Sequence, residues 1–149
     1  MALLAKGIWV VVADGERALF LENIGTADKP KLSLHEKVQA EDDGMELTDR
    51  PGRMQDTGRQ QLSAMELTDH ERLARERFAV TVADRINKRA GRDGMSRLVV
   101  VAPPQTLAVL RDEMSDAARK TVIAEIDKDL THHPLDKIGT LVAVDIDPL

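Results

Sequence analysis

The sequence predicts an α/β domain in which a mixed sheet of five strands carries helices on both faces. Strand-like patterns separated by turn residues fill the first forty positions, and strand-like and helical patterns alternate after residue 67. A chain of 149 residues is the length of one domain with one hydrophobic core. We therefore treat residues 1–149 as a single domain.

The first three strands are predicted to form an antiparallel meander. Ile8–Ala13 is a β-branched run typical of a strand buried on both faces. Asp14-Gly15 follows as a hairpin turn, since both residue types tolerate positive φ. Ala18–Ile24 is the return strand. Leu32 to Val38 alternates apolar and polar residues, which indicates an edge strand with one wet face.

The second half of the chain alternates helices and strands. Thr68 and Glu71 form a capping box before an amphipathic helix that extends to about Ala90. Leu98–Ala102 is a second doubly buried strand, and Pro103-Pro104 opens a helix whose apolar stripe ends at Met114 and Ala117 or Ala118.

The chain then continues with a fifth strand over Thr121–Asp127 and a last helix from Pro134 to about Leu141. The alternation in Val142–Ile146 favours a short strand over an extension of that helix. The resulting order is β-β-β-α-β-α-β-α, and right-handed crossovers place the fourth strand beside the first. Ribonuclease H-like domains have this order.

Composition excludes several classes of function. The chain has no cysteine, so disulfides, thiol nucleophiles and thiolate metal sites are impossible. Its net charge of −5 repels nucleic acid in bulk, and 2% aromatic residues provide no stacking platform for single strands. We interpret the apolar start, Met1–Ala13, as a strand and not a signal peptide. With no apolar run of about 20 residues, we expect a cytoplasmic protein without a membrane partner.

Enzyme chemistry is not supported by a complete set of residues. A ribonuclease H-like nuclease needs carboxylates that converge on two metal ions, with acids on the first strand, the first helix and the end of the fourth strand. Asp14 stands at the end of the first strand, but the fourth ends Val101-Ala102-Pro103-Pro104 without an acid. No serine lies in a nucleophile-elbow context, so we predict no catalytic residue.

A metal site is the alternative weighed for the segment Asp127–His133 with Asp136. Two histidines and three carboxylates lie within ten residues there. Neighbouring side chains in an extended segment point in opposite directions, however, so His132 and His133 would rarely share an ion. We favour a strand-to-helix turn in which Asp or Thr caps the last helix, and we expect no metal and no cofactor.

The long charged loop, about residues 40–67, is the most unusual segment. Loops of ~25 residues within a compact domain are usually functional or disordered. An acidic start gives way to Arg50, Arg53 and Arg59 with glycines between them, and arginine forks suit phosphate or carboxylate. The alternative is a solvated loop in which these arginines pair weakly with neighbouring Asp residues.

Five segments in order resemble the bacterial host attachment protein family. They are Ile8–Gly15, the Asp-Arg-Pro-Gly-Arg motif at 49–53, Asp69–Glu71 with Arg77–Ala79, Leu98–Pro104 and Glu125–Thr131. The resemblance covers nearly the whole chain. It implies kinship with the middle domain of archaeal and eukaryotic peptide release factors, a ribonuclease H-like domain with a Gly-Gly-Gln loop after its third strand. Here Gly58-Arg59-Gln60-Gln61 stands in place of that triplet, so we do not expect the hydrolysis of a peptidyl ester that release factors promote.

Three functions remain as hypotheses. The first is a non-catalytic module that binds RNA or the ribosome, with candidate binding residues Arg50, Arg53, Arg59, Gln60, Asp14, Lys128, Asp129 and Thr131. The second is a protein–protein interaction factor needed indirectly for attachment to host cells. The third is a hydrolase, metal-dependent or acting on peptidyl-tRNA. A homodimer through the apolar tail at Val142–Ile146 is a further possible partner arrangement.

Overall fold

The computed structural model describes residues 4–40, 64–90, 92 and 95–146. Five strands and four helices are present in these ranges. In chain order they are β1 Trp9–Ala13, β2 Arg17–Asn23, β3 Leu32–Gln39, α1 Ala64–Arg89, β4 Leu98–Val101, α2 Pro104–Glu113, α3 Asp116–Thr121, β5 Val122–Ile126 and α4 Leu135–Ile146.

The strands form one mixed sheet in the order β3-β2-β1-β4-β5. β1 pairs antiparallel with β2 and parallel with β4, with Val11 opposite both Phe20 and Val100. β5 adds to β4 in parallel. The predicted meander, the edge position of β3 and the placement of the fourth strand beside the first are confirmed.

Two apolar layers bury the faces of the central strands. Alternate residues of β1 serve different layers, because successive side chains of a strand point to opposite faces. Trp9 and Val11 contact the layer that α1 and α2 cover, where Val82, Ile86, Leu107 and Leu110 are buried. Val10 and Val12 contact the layer under α4, which includes Ile138 and Val142. The helices on both faces are as predicted.

A bulge changes the predicted pattern of β3. Phe20 pairs with Glu36 and the next residue, Leu21, pairs with Leu34, so His35 is an extra residue. The bulge shifts the side-chain phase, and Leu32 and Val38 therefore lie in different apolar layers. The prediction of one uniform wet face was wrong for this reason.

The first helix begins earlier than the capping box predicts. Residues 64–67 are already helical, so the predicted loop of about 40–67 is too long and Thr68 does not cap the helix. Ala, Met, Glu and Leu are strong helix formers and extend it upstream. At its other end, Arg89 donates to Glu36 of β3 at 3.0 Å and lies over the Trp9 ring at 5.4 Å, which fixes α1 on the sheet.

Two later helices also differ from the expectation. The segment after Pro104 is two helices, because Ser115 is extended and its hydroxyl accepts from the Ala118 amide to start α3. The tail through Ile146 continues α4 and forms no strand. Across the described ranges, no helix has both the length and the apolar character needed to cross a membrane.

Candidate functional site

The carboxyl ends of β1, β4 and β5 meet at one edge of the sheet, because these three strands are parallel. Ligands of open α/β sheets bind in crevices outside this edge. Asp14 follows β1, Pro103 follows β4, and the segment from Asp127 follows β5. The topology thus brings the first strand's acid to the polar segment near residue 130.

The Asp14 carboxylate is the centre of this edge and is 9% exposed. Its Oδ1 accepts from the backbone amides of Glu16 at 2.7 Å and Arg17 at 2.8 Å, which closes the β1–β2 hairpin. The hairpin is as predicted, but its glycine serves another purpose. Among the described glycines, positive φ occurs only at Gly7, so Gly15 is not required for a left-handed turn.

Gly15 instead makes room for Arg75 of α1. A Cβ at position 15 would lie 2.5 Å from Cγ of Arg75, well inside van der Waals contact. Only glycine therefore allows the Arg75 side chain to lie across the hairpin in this position. This contact joins the carboxyl edge to the helix.

Thr131 links Asp14 to the segment after β5. Its hydroxyl lies 2.7 Å from Oδ2 of Asp14 and 2.8 Å from Oδ1 of Asp129. A hydroxyl has one proton, so it donates to one carboxylate at a time. The Asp14 and Asp129 carboxylates therefore share the Thr131 hydroxyl as a common neutral donor. A positive charge nearby would stabilise both carboxylates.

His132 stands beside the same pair of carboxylates. Its Nε2 is 3.8 Å from Oδ2 of Asp14, and the ring is largely exposed. One ligand atom each from Asp14, Asp129 and His132 lies within 4.8 Å of the others, so these three residues could hold a metal ion. His133 is not in this group.

The electrostatic balance at Asp14 favours the ionised form. Burial raises the pKa of Asp14, but the Glu16 amide, the Thr131 hydroxyl and the Arg17 amide and charge outweigh it, so the net pKa lies below the ordinary 3.8. Asp14 is therefore a fixed negative charge at neutral pH.

The other predicted site residues are placed differently. Lys128 forms an ion pair with Asp145 of α4 at 2.9 Å and does not join the Asp14 cluster. Arg50, Arg53, Arg59 and Gln60 lie outside the described residues, so their role stays a prediction. The last described residue before that segment is Ala40, whose amide donates to the Glu16 carbonyl at 2.7 Å, next to Asp14.

The predicted cap of the last helix was wrong. Helix α4 begins at Leu135, and the residue directly before it is Pro134, so neither Asp129 nor Thr131 caps the helix. Both side chains turn back toward Asp14 instead, where Thr131 meets a buried carboxylate from the other end of the chain.

A groove between α1 and α2 was not foreseen from the sequence. Its volume is about 460 Å³, and four residues of each helix form its wall: Glu71, Arg72, Arg75 and Glu76, then Gln105, Thr106, Ala108 and Val109. Arg75 connects this groove to the Asp14 hairpin. The pair Pro103-Pro104 was the one available signal, because it marks the start of a helix that follows a buried strand.

The fold and the site define a mixed α/β domain with a polar cluster at the carboxyl ends of its parallel strands. The chain belongs to bacterial archaeo-eukaryotic release factor family 12, whose family model matches residues 7–142. This match confirms the resemblance to release-factor domains inferred from the sequence motifs. No curated protein matches the chain.

Proposed function

We propose that this domain is a non-catalytic module that binds RNA or the ribosome in the cytoplasm. The observation that carries the proposal is the match to a release-factor family over residues 7–142. Release factors act on the ribosome, and a domain that retains their fold without the Gly-Gly-Gln triplet can retain the binding surface without the hydrolysis.

The carboxyl edge supports this proposal through its position. The backbone leaves β3 beside the Asp14 hairpin, and the arginine-rich segment with Arg50, Arg53 and Arg59 follows directly in sequence. The net charge of the chain is −5, so contact with RNA has to rely on a local group of arginines.

Cosedimentation with purified bacterial ribosomes over a range of salt concentrations tests the proposal. Phosphate contacts release counterions, so binding should weaken steeply as salt rises. Changing Arg50, Arg53 and Arg59 together to Gln should weaken binding and lower the magnitude of the salt slope by about 2 to 3, since each phosphate contact contributes about 0.7 to 0.9.

A matched control removes three positive charges elsewhere. The exposed lysines Lys29, Lys37 and Lys120, each changed to Gln, should leave the salt slope as in the original protein. A protein that stays off ribosomes even at low salt would refute the proposal. Equal losses in both triple variants would show a net-charge effect and refute the role of the arginines.

A metal-dependent hydrolase is the second candidate, favoured by the spacing of Asp14, Asp129 and His132. Two carboxylates and an imidazole suit Mn²⁺, and a bound metal can activate water for attack on a phosphodiester. Cleavage of RNA that requires Mn²⁺ and is lost in Asp129→Asn, but not in the exposed control Asp28→Asn, would establish this candidate and refute a purely binding role. A requirement in attachment to host cells stays a prediction.

A further inference from the structure

The first turn of α2 presents unpaired backbone donors to the groove between α1 and α2. The residue before the helix is Pro103, which provides no side-chain cap, and Pro104 has no amide hydrogen. The first helical amide to find a backbone acceptor is that of Leu107, which donates to the Pro103 carbonyl at 2.8 Å. Within the described ranges, the amides of Gln105 and Thr106 have no acceptor.

The charge of this turn suits an anion. Unpaired amides and the aligned peptide dipoles give the start of a helix a partial positive charge. An acidic residue in the first turn often neutralises it, but α2 has none there. A helix start alone is common to all helices, so the side chains around it decide whether it is a site.

Thr106 is the side chain that sets this helix apart. It is 7% exposed and lines the groove, yet its hydroxyl has no hydrogen-bond partner among the residues that the structure describes. Threonines inside a helix can donate to the carbonyl four residues earlier, as Thr81 and Thr140 do at 3.2 Å. Thr106 is the third residue of α2, so the residue four earlier, Ala102, precedes the helix, and Thr106 makes no such bond. The hydroxyl is open to the groove and is therefore a donor that a ligand there can use.

Arg75 supplies a cation on the opposite wall. Gly15 lets its stem lie across the hairpin, and in the described part of the chain its guanidinium has no ion pair. The neighbouring Arg72 is engaged with Asp69 at 3.4 Å. Glu71 and Glu76 also line the groove, so the wall from α1 is not strongly positive and the affinity for a free anion will be modest.

We propose that the first turn of α2, the Thr106 hydroxyl and Arg75 together bind a phosphate group of an RNA backbone. The amides of Gln105 and Thr106 donate to phosphate oxygens, as helix starts do in other phosphate sites. The hydroxyl adds a third donor, and the guanidinium adds a charged one. The assignment to RNA rests on the proposed function, whereas phosphate binding by the groove is argued from the groove alone.

Nuclear magnetic resonance of the full chain labelled with ¹⁵N tests the site directly. Addition of inorganic phosphate should move the amide signals of Gln105 and Thr106 in a saturable way. A hexauridylate RNA should move the same signals at a lower concentration, because flanking contacts add to the phosphate. Thr106→Val should weaken phosphate binding by about 10-fold or more, the effect of one hydrogen bond to a charged group.

Two matched controls separate the site from general effects. Thr81→Val removes an exposed helical hydroxyl on α1 and should bind as the original chain does. Arg77→Gln removes an exposed charge two residues from Arg75 and should also bind as the original chain does. Arg75→Gln should weaken phosphate binding by about 10-fold. Thr106→Val should fold about as stably as the original chain, because the Thr106 hydroxyl makes no hydrogen bond to the described residues and the methyl group has nearly the same volume.

The possible outcomes separate the groove from the proposed function. Failure of phosphate and RNA to move the two amides would overturn the site, even if ribosome binding is intact. Phosphate binding without RNA binding would overturn the assignment to RNA. Saturable shifts by both ligands, weakened in Thr106→Val and Arg75→Gln but not in the two controls, would support the site even if the protein stays off ribosomes.

Discussion

Replacement of Asp14 separates the charge of the carboxylate from its hydrogen bonds. Asp14→Ala removes the acceptor of two backbone amides and of the Thr131 hydroxyl at 2.7–2.8 Å. Each loss costs about 1 kcal/mol, and more where the donor is buried, so the free energy of unfolding should fall by about 2–4 kcal/mol. In a chain of this size that lowers Tm by about 6–14 °C.

Asp14→Asn should cost much less, about 1 kcal/mol at neutral pH. Its Oδ1 still accepts from the Glu16 and Arg17 amides, and its amide nitrogen can donate to Thr131 Oγ1. The Thr131 proton is then free for Asp129, which lies 2.8 Å away. With asparagine at position 14, the Thr131 hydroxyl accepts from residue 14 and donates to Asp129. In the original protein, the Asp14 and Asp129 carboxylates share the one proton of that hydroxyl.

Acid titration provides the second readout for the same pair of proteins. The folded pKa of Asp14 lies below its ordinary value of 3.8, so its charge stabilises the fold above that pH. The contribution is lost as pH falls through the folded pKa. In urea unfolding at several pH values, the original protein should have a higher free energy of unfolding than Asp14→Asn at neutral pH. This difference should shrink below about pH 4. A constant difference, or equal costs for Ala and Asn at neutral pH, would refute the reasoning.

Three further predictions concern the β2–β3 turn and the start of the chain. The buried Asn23 amide donates to three backbone carbonyls and accepts from two backbone amides. Asn23→Ala should therefore lower the free energy of unfolding by about 3–5 kcal/mol, measured by urea unfolding. A loss below about 1 kcal/mol would contradict this. Gly25→Ala should cost about 2–3 kcal/mol in the same assay, because its Cβ would lie 2.4 Å from the Lys29 carbonyl oxygen. Gly7→Ala, with φ at +91° but open space around it, should cost about 1–2 kcal/mol, and the reverse order would show that backbone strain outweighs contact.

The order of strands and helices was predictable because each depends on a local period. Trp9–Ala13 and Leu98–Val101 are buried at every residue, which requires cover on both faces, and the connections then leave few topologies. The tail was mispredicted because a short segment can satisfy two periods. Ile138 and Val142 are buried at helical spacing, while exposed Val144 extends the alternation that imitates a strand.

The candidate site was predictable only in part, because its contacts join distant segments. Asp14 and Thr131 were both candidates, yet they are 117 residues apart and their hydrogen bond follows only from the parallel pairing of β1, β4 and β5. The bulge at His35 likewise has no local signal, since it depends on the register with β2. Thr106 was hidden among helical residues, where its type alone does not reveal that its hydroxyl lacks a partner.

Arg75 contacts both polar regions of this domain, the Asp14 hairpin and the groove between α1 and α2. Its stem lies on Gly15, one residue from the fixed negative charge of Asp14, and it also lines the groove where α2 begins. A side chain at position 15 would move the Arg75 stem away from the hairpin, and the groove would lose its guanidinium while the Asp14 hydrogen bonds to backbone amides stay in place. The glycine therefore matters more for the groove than for the turn. Its φ is not positive, so the hairpin backbone would accept many other residue types at position 15, and the contact with Arg75 explains why a glycine stands there.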